Sequence, residues 1–171
     1  ENKIQEAETK APHLPRNTEL HLIGHLQSNK IKKALKIFNV IQTVDSLALA
    51  VKINQEAEKT TKIQRIYCQI NIGNDPNKTG FSAKGIKTNI NKIIKLPHLA
   101  VEGIMTILPI GQAEEETKRL YNETKRIRDE LSKSYSIDLE LSMGMSNDYK
   151  TAIKCGATLV RIGTKLFGER K

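Results

Sequence analysis

The residues best suited to chemistry lie in two segments near the C-terminus, Leu141-Ser142-Met143-Gly144-Met145-Ser146-Asn147-Asp148 and Val160-Arg161-Ile162-Gly163-Thr164. Each leaves a short apolar run and leads toward a helical pattern, which makes each a strand-to-helix turn. In the first, Ser146 can join backbone donors around an anion; in the second, Gly163 permits close backbone approach beside the hydroxyl and amide of Thr164. One such loop alone is adequately explained as a capped helix start with a packing glycine. Two adjacent ones favour phosphate binding. Arg161 adds a second constraint, because a guanidinium at the inner end of an apolar strand is costly without an acceptor beside it. That acceptor is either a carboxylate such as Glu102 or a ligand atom carrying a lone pair.

These loops need a scaffold that brings strand ends together. Short apolar runs alternate with longer runs of helical period, the pattern of βα units and a parallel sheet. Strands are expected near 19–26, 40–45, 65–73, 99–108, 138–144 and 158–163, with helices over 28–38, 46–58, 82–95 and 112–132 and a short one from about Ser146. Ser28, Ser46 and Ser82 stand where N-caps are needed, and Pro97 and Pro109 fall in connections. Gly24-His25-Leu26-Gln27-Ser28-Asn29 is not the glycine fingerprint of a dinucleotide-binding sheet. An incomplete (β/α)8 barrel of about six strands is therefore expected, with its chemistry at the C-terminal strand ends.

Composition narrows the function classes. At 171 residues the chain is long enough for one domain with a real core, and no linker divides it. No apolar run approaches a bilayer span, and the first residues lack the pattern of a signal peptide, so a cytoplasmic protein with no membrane partner is expected. Cys68 and Cys155 form no CxxC pair and suggest neither a metal nor a disulfide framework. The net charge of +9 raises nucleic-acid binding, which would show as a steep salt dependence. The basic residues, however, alternate with acids, as in Glu114-Glu115-Glu116-Thr117-Lys118-Arg119, which marks a solvated helix face. His21 and His25 share one face of a strand and have no evident third metal ligand.

Six ordered segments together carry a family resemblance. They are Ile23 to Lys30, Thr43-Val44-Asp45-Ser46, Gln69-Ile70-Asn71-Ile72 with Lys78-Thr79-Gly80, Glu102-Gly103-Ile104-Met105, Leu141 to Asp148, and Val160 to Thr164 with Phe167-Gly168. The chain resembles the pyridoxal phosphate homeostasis proteins, also called the proline synthase co-transcribed homologues, whose fold is like the N-terminal domain of alanine racemase. The likeness runs essentially from end to end. It implies a monomeric barrel that binds pyridoxal 5′-phosphate and regulates its supply, with no firm reaction. It matches Ser146, Gly163 and Thr164 to phosphate contacts and Arg161 to the arginine facing the pyridine nitrogen. Ser142 and Asn29 match positions lining the site, and Met143 and Met145 are candidates to lie over the ring, although Met there commonly fills core.

The resemblance also sets an expectation about the N-terminus. In the family, the lysine that bonds covalently to the cofactor lies on the first strand, upstream of a segment ending in Gly-Glu-Asn. Glu1-Asn2-Lys3-Ile4-Gln5-Glu6 looks like the end of that segment, so that lysine, the first strand and most of the second are expected to be absent, leaving sheet edges open to association. Lys3, Lys30, Lys78 and Lys165 match no such lysine. The expected function is non-catalytic cofactor binding. The alternatives are a racemase- or decarboxylase-like enzyme, which would need a positioned acid and base, and an impaired fragment.

Overall fold

The computed structural model describes residues 1–168. Five parallel strands lie side by side in chain order: β1 (His21–Leu22), β2 (Val40–Val44), β3 (Gln64–Ile70), β4 (Leu99–Thr106) and β5 (Glu140–Ser142). The helices are α1 (Ile4–Lys10), α2 (Ile31–Ile37), α3 (Leu47–Glu58), α4 (Ala83–Ile94), α5 (Glu114–Tyr135), α6 (Tyr149–Lys154) and α7 (Thr164–Phe167). The result is a curved parallel α/β layer, an incomplete barrel. The expected sixth strand at 158–163 is reduced to one bridge, Leu159 beside Ser142. β1 is shorter than expected, because only two of its residues complete the ladder with β2.

Sheet and helices assemble for ordinary reasons. All five residues of β2 are buried, as parallel strands covered on both faces require. Ile41, Ile66, Cys68, Ile70, Ile104, Leu141 and Met143 share one core with Ala34, Ile53, Ile90 and Ile127 from the helices. Val40, Tyr67 and Met105 pack separately, with Ile107 against them. Strand alternation thus sends one set of side chains to the helices and the next set to the concave interior.

Two of the three expected serine caps form. Ser46 Oγ accepts from Leu49 N at 3.2 Å and Ser82 Oγ from Gly85 N at 3.0 Å. Ser28 instead begins a 3-10 turn and takes a hydrogen bond from Lys52 Nζ at 3.1 Å. At the end of α2, Lys62 Nζ donates to the carbonyls of Leu35 (2.6 Å) and Phe38 (3.1 Å), which places a cation at the negative end of the helix. α5 has three glutamates in its first turn and pairs Arg119 with Glu116 and Glu123 on its surface. Those basic residues belong to a solvated, self-compensating helix face.

The outer edge of β1 is met by the first residues: Glu1 N donates to His21 O at 2.8 Å, and Ile23 N to Glu1 O at 3.0 Å. Gly24 is required there, since a Cβ would stand 1.9 Å from the Asn2 carbonyl oxygen. No helix among the described residues is long and apolar enough to cross a membrane.

Candidate functional site

The concave face carries a continuous polar chain. Arg161 is 9% exposed, and its Nη1 donates to Ser142 Oγ at 2.6 Å while its Nη2 donates to the Thr106 carbonyl at 2.8 Å. Ser142 Oγ donates to Gln42 Oε1 at 2.7 Å, and Gln42 Nε2 meets His21 Nδ1 at 2.8 Å. Ser142 follows from its position on β5: its neighbours Leu141 and Met143 face the helices, so its own side chain faces inward. Thr106 ends β4 and is fixed by its hydroxyl on Ile70 O at 2.9 Å. Arg161 is held by its backbone N–H on Gly144 O at 2.9 Å, which ties the last segment to the turn after β5.

Arg161 is not paired with Glu102. That carboxylate bonds Arg65 Nε, and Glu19 bonds Arg65 Nη1, at a separate cluster where Tyr67 also donates to Glu140. Arg161 therefore makes no ion pair with a carboxylate among the described residues. Burial pushes its guanidinium down to about 10, opposed by the nearby Tyr121 and Asp148, so it remains a cation at neutral pH. Its Nε is buried without an acceptor among the described residues. A buried cation with a spare donor is an arrangement that a ligand acceptor would complete.

The turn after β5 is built for shape. Gly144 has φ +95°, and a Cβ there would lie 2.5 Å from Ala152 Cβ. Asp148 locks the turn by accepting from Met145 N at 2.6 Å and from Tyr121 Oη at 2.7 Å. The expected short helix begins at Tyr149 rather than Ser146, because residues 146–148 form this turn. Ser146 is thereby left facing the start of α7, with its Oγ 3.4 Å from Lys165 N. The structure thus brings Ser146, Gly163 and Thr164 to one end of the sheet. Around a Cβ at Gly163 there is open space, and the first amides of α7 have no acceptor within their own helix.

Two expected residues stand outside the hydrogen-bonded groups of this site. Met143 is fully buried in the helix-side core, on the opposite face of β5 from Ser142, and cannot lie over a ligand held by Arg161. Asn29 is exposed on the 3-10 turn of Ser28–Lys30 and makes no hydrogen bond to Ser142, Ser146 or Arg161. Met145, beside Ser146, is 44% exposed. Lys165 places its Nζ 4.8 Å over the Tyr149 ring, Lys78 donates to Leu108 O at 2.5 Å, and Lys3 pairs with Glu6. His25 is paired with Asp45 rather than with His21, and no group of three metal-ligating side chains occurs among the described residues.

Sequence reasoning missed Gln42, Thr106 and Asp148 as supports of the site. Gln42 carried a signal, being a long polar side chain within a short run whose other residues are Val, Ile and Thr. Asp148 and Tyr121 carried none, since 27 positions separate them.

Comparison with known proteins gives one consistent result. The family described as alanine racemase, N-terminal domain, matches residues 1–171. The pyridoxal phosphate homeostasis protein of Synechocystis sp. is 40% identical over 173 residues, covering 99% of this chain and 79% of that protein. Its counterpart from Aquifex aeolicus is 38% identical, covering 100% of this chain and 76% of that protein. Among solved structures, PipY of Synechococcus elongatus with PLP bound aligns with a TM-score of 0.88 at 34% identity, over 98% of this chain and 79% of that one; without PLP the TM-score is 0.93. Alanine racemase of Clostridium difficile aligns at 0.82 with 18% identity, over 99% of this chain and 44% of that enzyme, a likeness of fold. The chain belongs to the pyridoxal phosphate homeostasis proteins, within the alanine racemase N-terminal domain family.

Proposed function

We propose that this chain binds pyridoxal 5′-phosphate at the C-terminal end of its sheet and acts in the homeostasis of that cofactor without catalysing a reaction of its own. The observation that carries the reading is the unpartnered, buried Nε of Arg161 beside the loop that joins Ser146 to the start of α7. Ser146 Oγ and the amides of Gly163 and Thr164 hold the phosphate, and Arg161 Nε donates to the pyridine nitrogen. When bound, the cofactor supplies an aldehyde on an electron-withdrawing ring. An arginine only donates, so it holds the ring nitrogen unprotonated and weakens that withdrawal.

The non-catalytic part rests on the state of the other candidate groups. Burial and the Glu140 hydrogen bond raise Tyr67 above its ordinary range, burial and Asp148 do the same to Tyr121, and burial pushes the Cys68 thiol up to about 12. His21 is engaged by Gln42. None of these is a free acid or base at neutral pH, which a racemase or decarboxylase would need.

The test is titration with pyridoxal 5′-phosphate followed by absorbance, with inorganic phosphate as competitor. The expected result is saturable binding that phosphate displaces and that Arg161→Ala weakens. Borohydride reduction with peptide mapping is expected to mark no single dominant lysine among these 171 residues. Binding indifferent to phosphate, or stoichiometric marking of Lys78 or Lys165, contradicts the reading.

A further inference from the structure

We propose that Gln42 is a positioning residue for Arg161, and that through Gln42 the charge on His21 sets how firmly the site holds the ring end of its ligand. The inference rests on the reading above for the identity of that ligand. The hydrogen-bond chain itself is independent of it.

Each link in the chain has a fixed donor sense when His21 is neutral with its proton on Nε2. Its Nδ1 then accepts from Gln42 Nε2 at 2.8 Å, while Nε2 lies 3.4 Å from Glu19 Oε2. Gln42 Oε1 is left to accept the Ser142 hydroxyl hydrogen at 2.7 Å, and the Ser142 oxygen accepts from Arg161 Nη1 at 2.6 Å. With Nη2 on the Thr106 carbonyl, both terminal nitrogens of Arg161 are anchored on the sheet, and Nε is its one nitrogen with no partner among the described residues. Gln42 is 1% exposed and Ser142 fully buried, so water does not substitute for a lost link.

Protonation of His21 turns both ring nitrogens into donors. Gln42 must then rotate its amide to present Oε1 to Nδ1, which aims Nε2 at Ser142. The Ser142 oxygen now faces two N–H donors, and its own hydrogen loses its acceptor. In a buried network such a mismatch is costly, so a charged His21 and a firmly seated Arg161 oppose each other. The groups around His21 are balanced for this role. Burial disfavours its charge, Glu102 and Glu140 favour it, Glu19 touches it, and Tyr67 packs with its ring centroid 6.5 Å away. Arg65 is occupied by Glu19 and Glu102.

The experiment uses the whole chain and two probes, pyridoxal 5′-phosphate and inorganic phosphate. Gln42→Leu is expected to weaken the cofactor about tenfold, the worth of one misdirected hydrogen bond to a charged group, and to leave inorganic phosphate within about twofold. Gln42→Glu offers an acceptor to Ser142 and to a protonated His21 at once; it restores binding and removes the loss of affinity that His21 causes on acidification. In the unliganded wild-type chain, the Nε–H resonance of Arg161 is expected to shift with the titration of His21, and this shift disappears in Gln42→Leu. A folded Gln42→Leu that binds the cofactor as wild type does, or an Arg161 resonance indifferent to His21, overturns the proposal. If Gln42→Leu does not fold, the wild-type resonance decides alone. If wild type fails to bind the cofactor while the resonance still follows His21, the ligand assignment falls and the positioning role stands.

Discussion

Ser142 Oγ lies 2.6 Å from Arg161 Nη1, across 19 positions of sequence, and joins β5 to the segment that follows α6 inside the sheet. Removing the hydroxyl leaves one Arg161 donor and the Gln42 carbonyl unpaired in a buried setting. Ser142→Ala is therefore expected to lower stability by about 1–3 kcal/mol, measured by urea unfolding. A change within error would mean that Arg161 finds another anchor.

Gly163 separates ligand contact from folding. Its φ is −109° and a Cβ would meet nothing within 4 Å, so Gly163→Ala is expected to leave the melting temperature unchanged. The added methyl would stand in the space assigned to phosphate, and affinity for pyridoxal 5′-phosphate is expected to fall. Ser146→Ala should do the same more mildly, by about one hydrogen bond's worth, roughly 1 kcal/mol. Unchanged affinity in both variants would remove these loops from the site.

Lys62 plays a structural part at the end of α2, just before β3 begins. Its ammonium caps α2 on the carbonyls of Leu35 and Phe38, and burial lowers its pKa. Lys62→Met keeps the apolar stem and deletes the cap. The expected loss is about 1 kcal/mol of unfolding free energy with cofactor affinity intact.

His21 makes stability depend on pH. Burial lowers its pKa in the folded chain, so the unfolded chain takes up the proton first. The stability of the neutral state is complete above the ordinary histidine value and is lost as pH falls from about 6.5 toward the folded pKa. Unfolding measured at about pH 7 and about pH 5.5 is expected to show a decline that His21→Asn reduces. An equal decline in the variant would assign the effect to other groups.

The arrangement of βα units was legible because apolar periodicity reports burial directly, and Ser46 and Ser82 marked helix starts by chemistry that acts within one turn. The sixth strand was not. Its apolar run around Leu159 is only half-buried and meets Ser142 in a single bridge, and pairing needs backbone register, which composition does not encode. Arg161 was singled out correctly as a buried cation needing acceptors, whereas its actual partners, Ser142 and the Thr106 carbonyl, depend on which face each strand end presents. Met143 was misplaced for the same reason: one step past Ser142, the last residue of β5, moves a side chain from the concave face to the helix side.

The most direct measurement is a crystal structure of the chain soaked with pyridoxal 5′-phosphate. The expected map shows phosphate against Ser146 Oγ and the amides of Gly163 and Thr164, with the pyridine nitrogen about 3 Å from Arg161 Nε, a hydrogen-bond distance. A ring turned so that its nitrogen faces away from Arg161, or phosphate bound at another end of the sheet, would contradict the account.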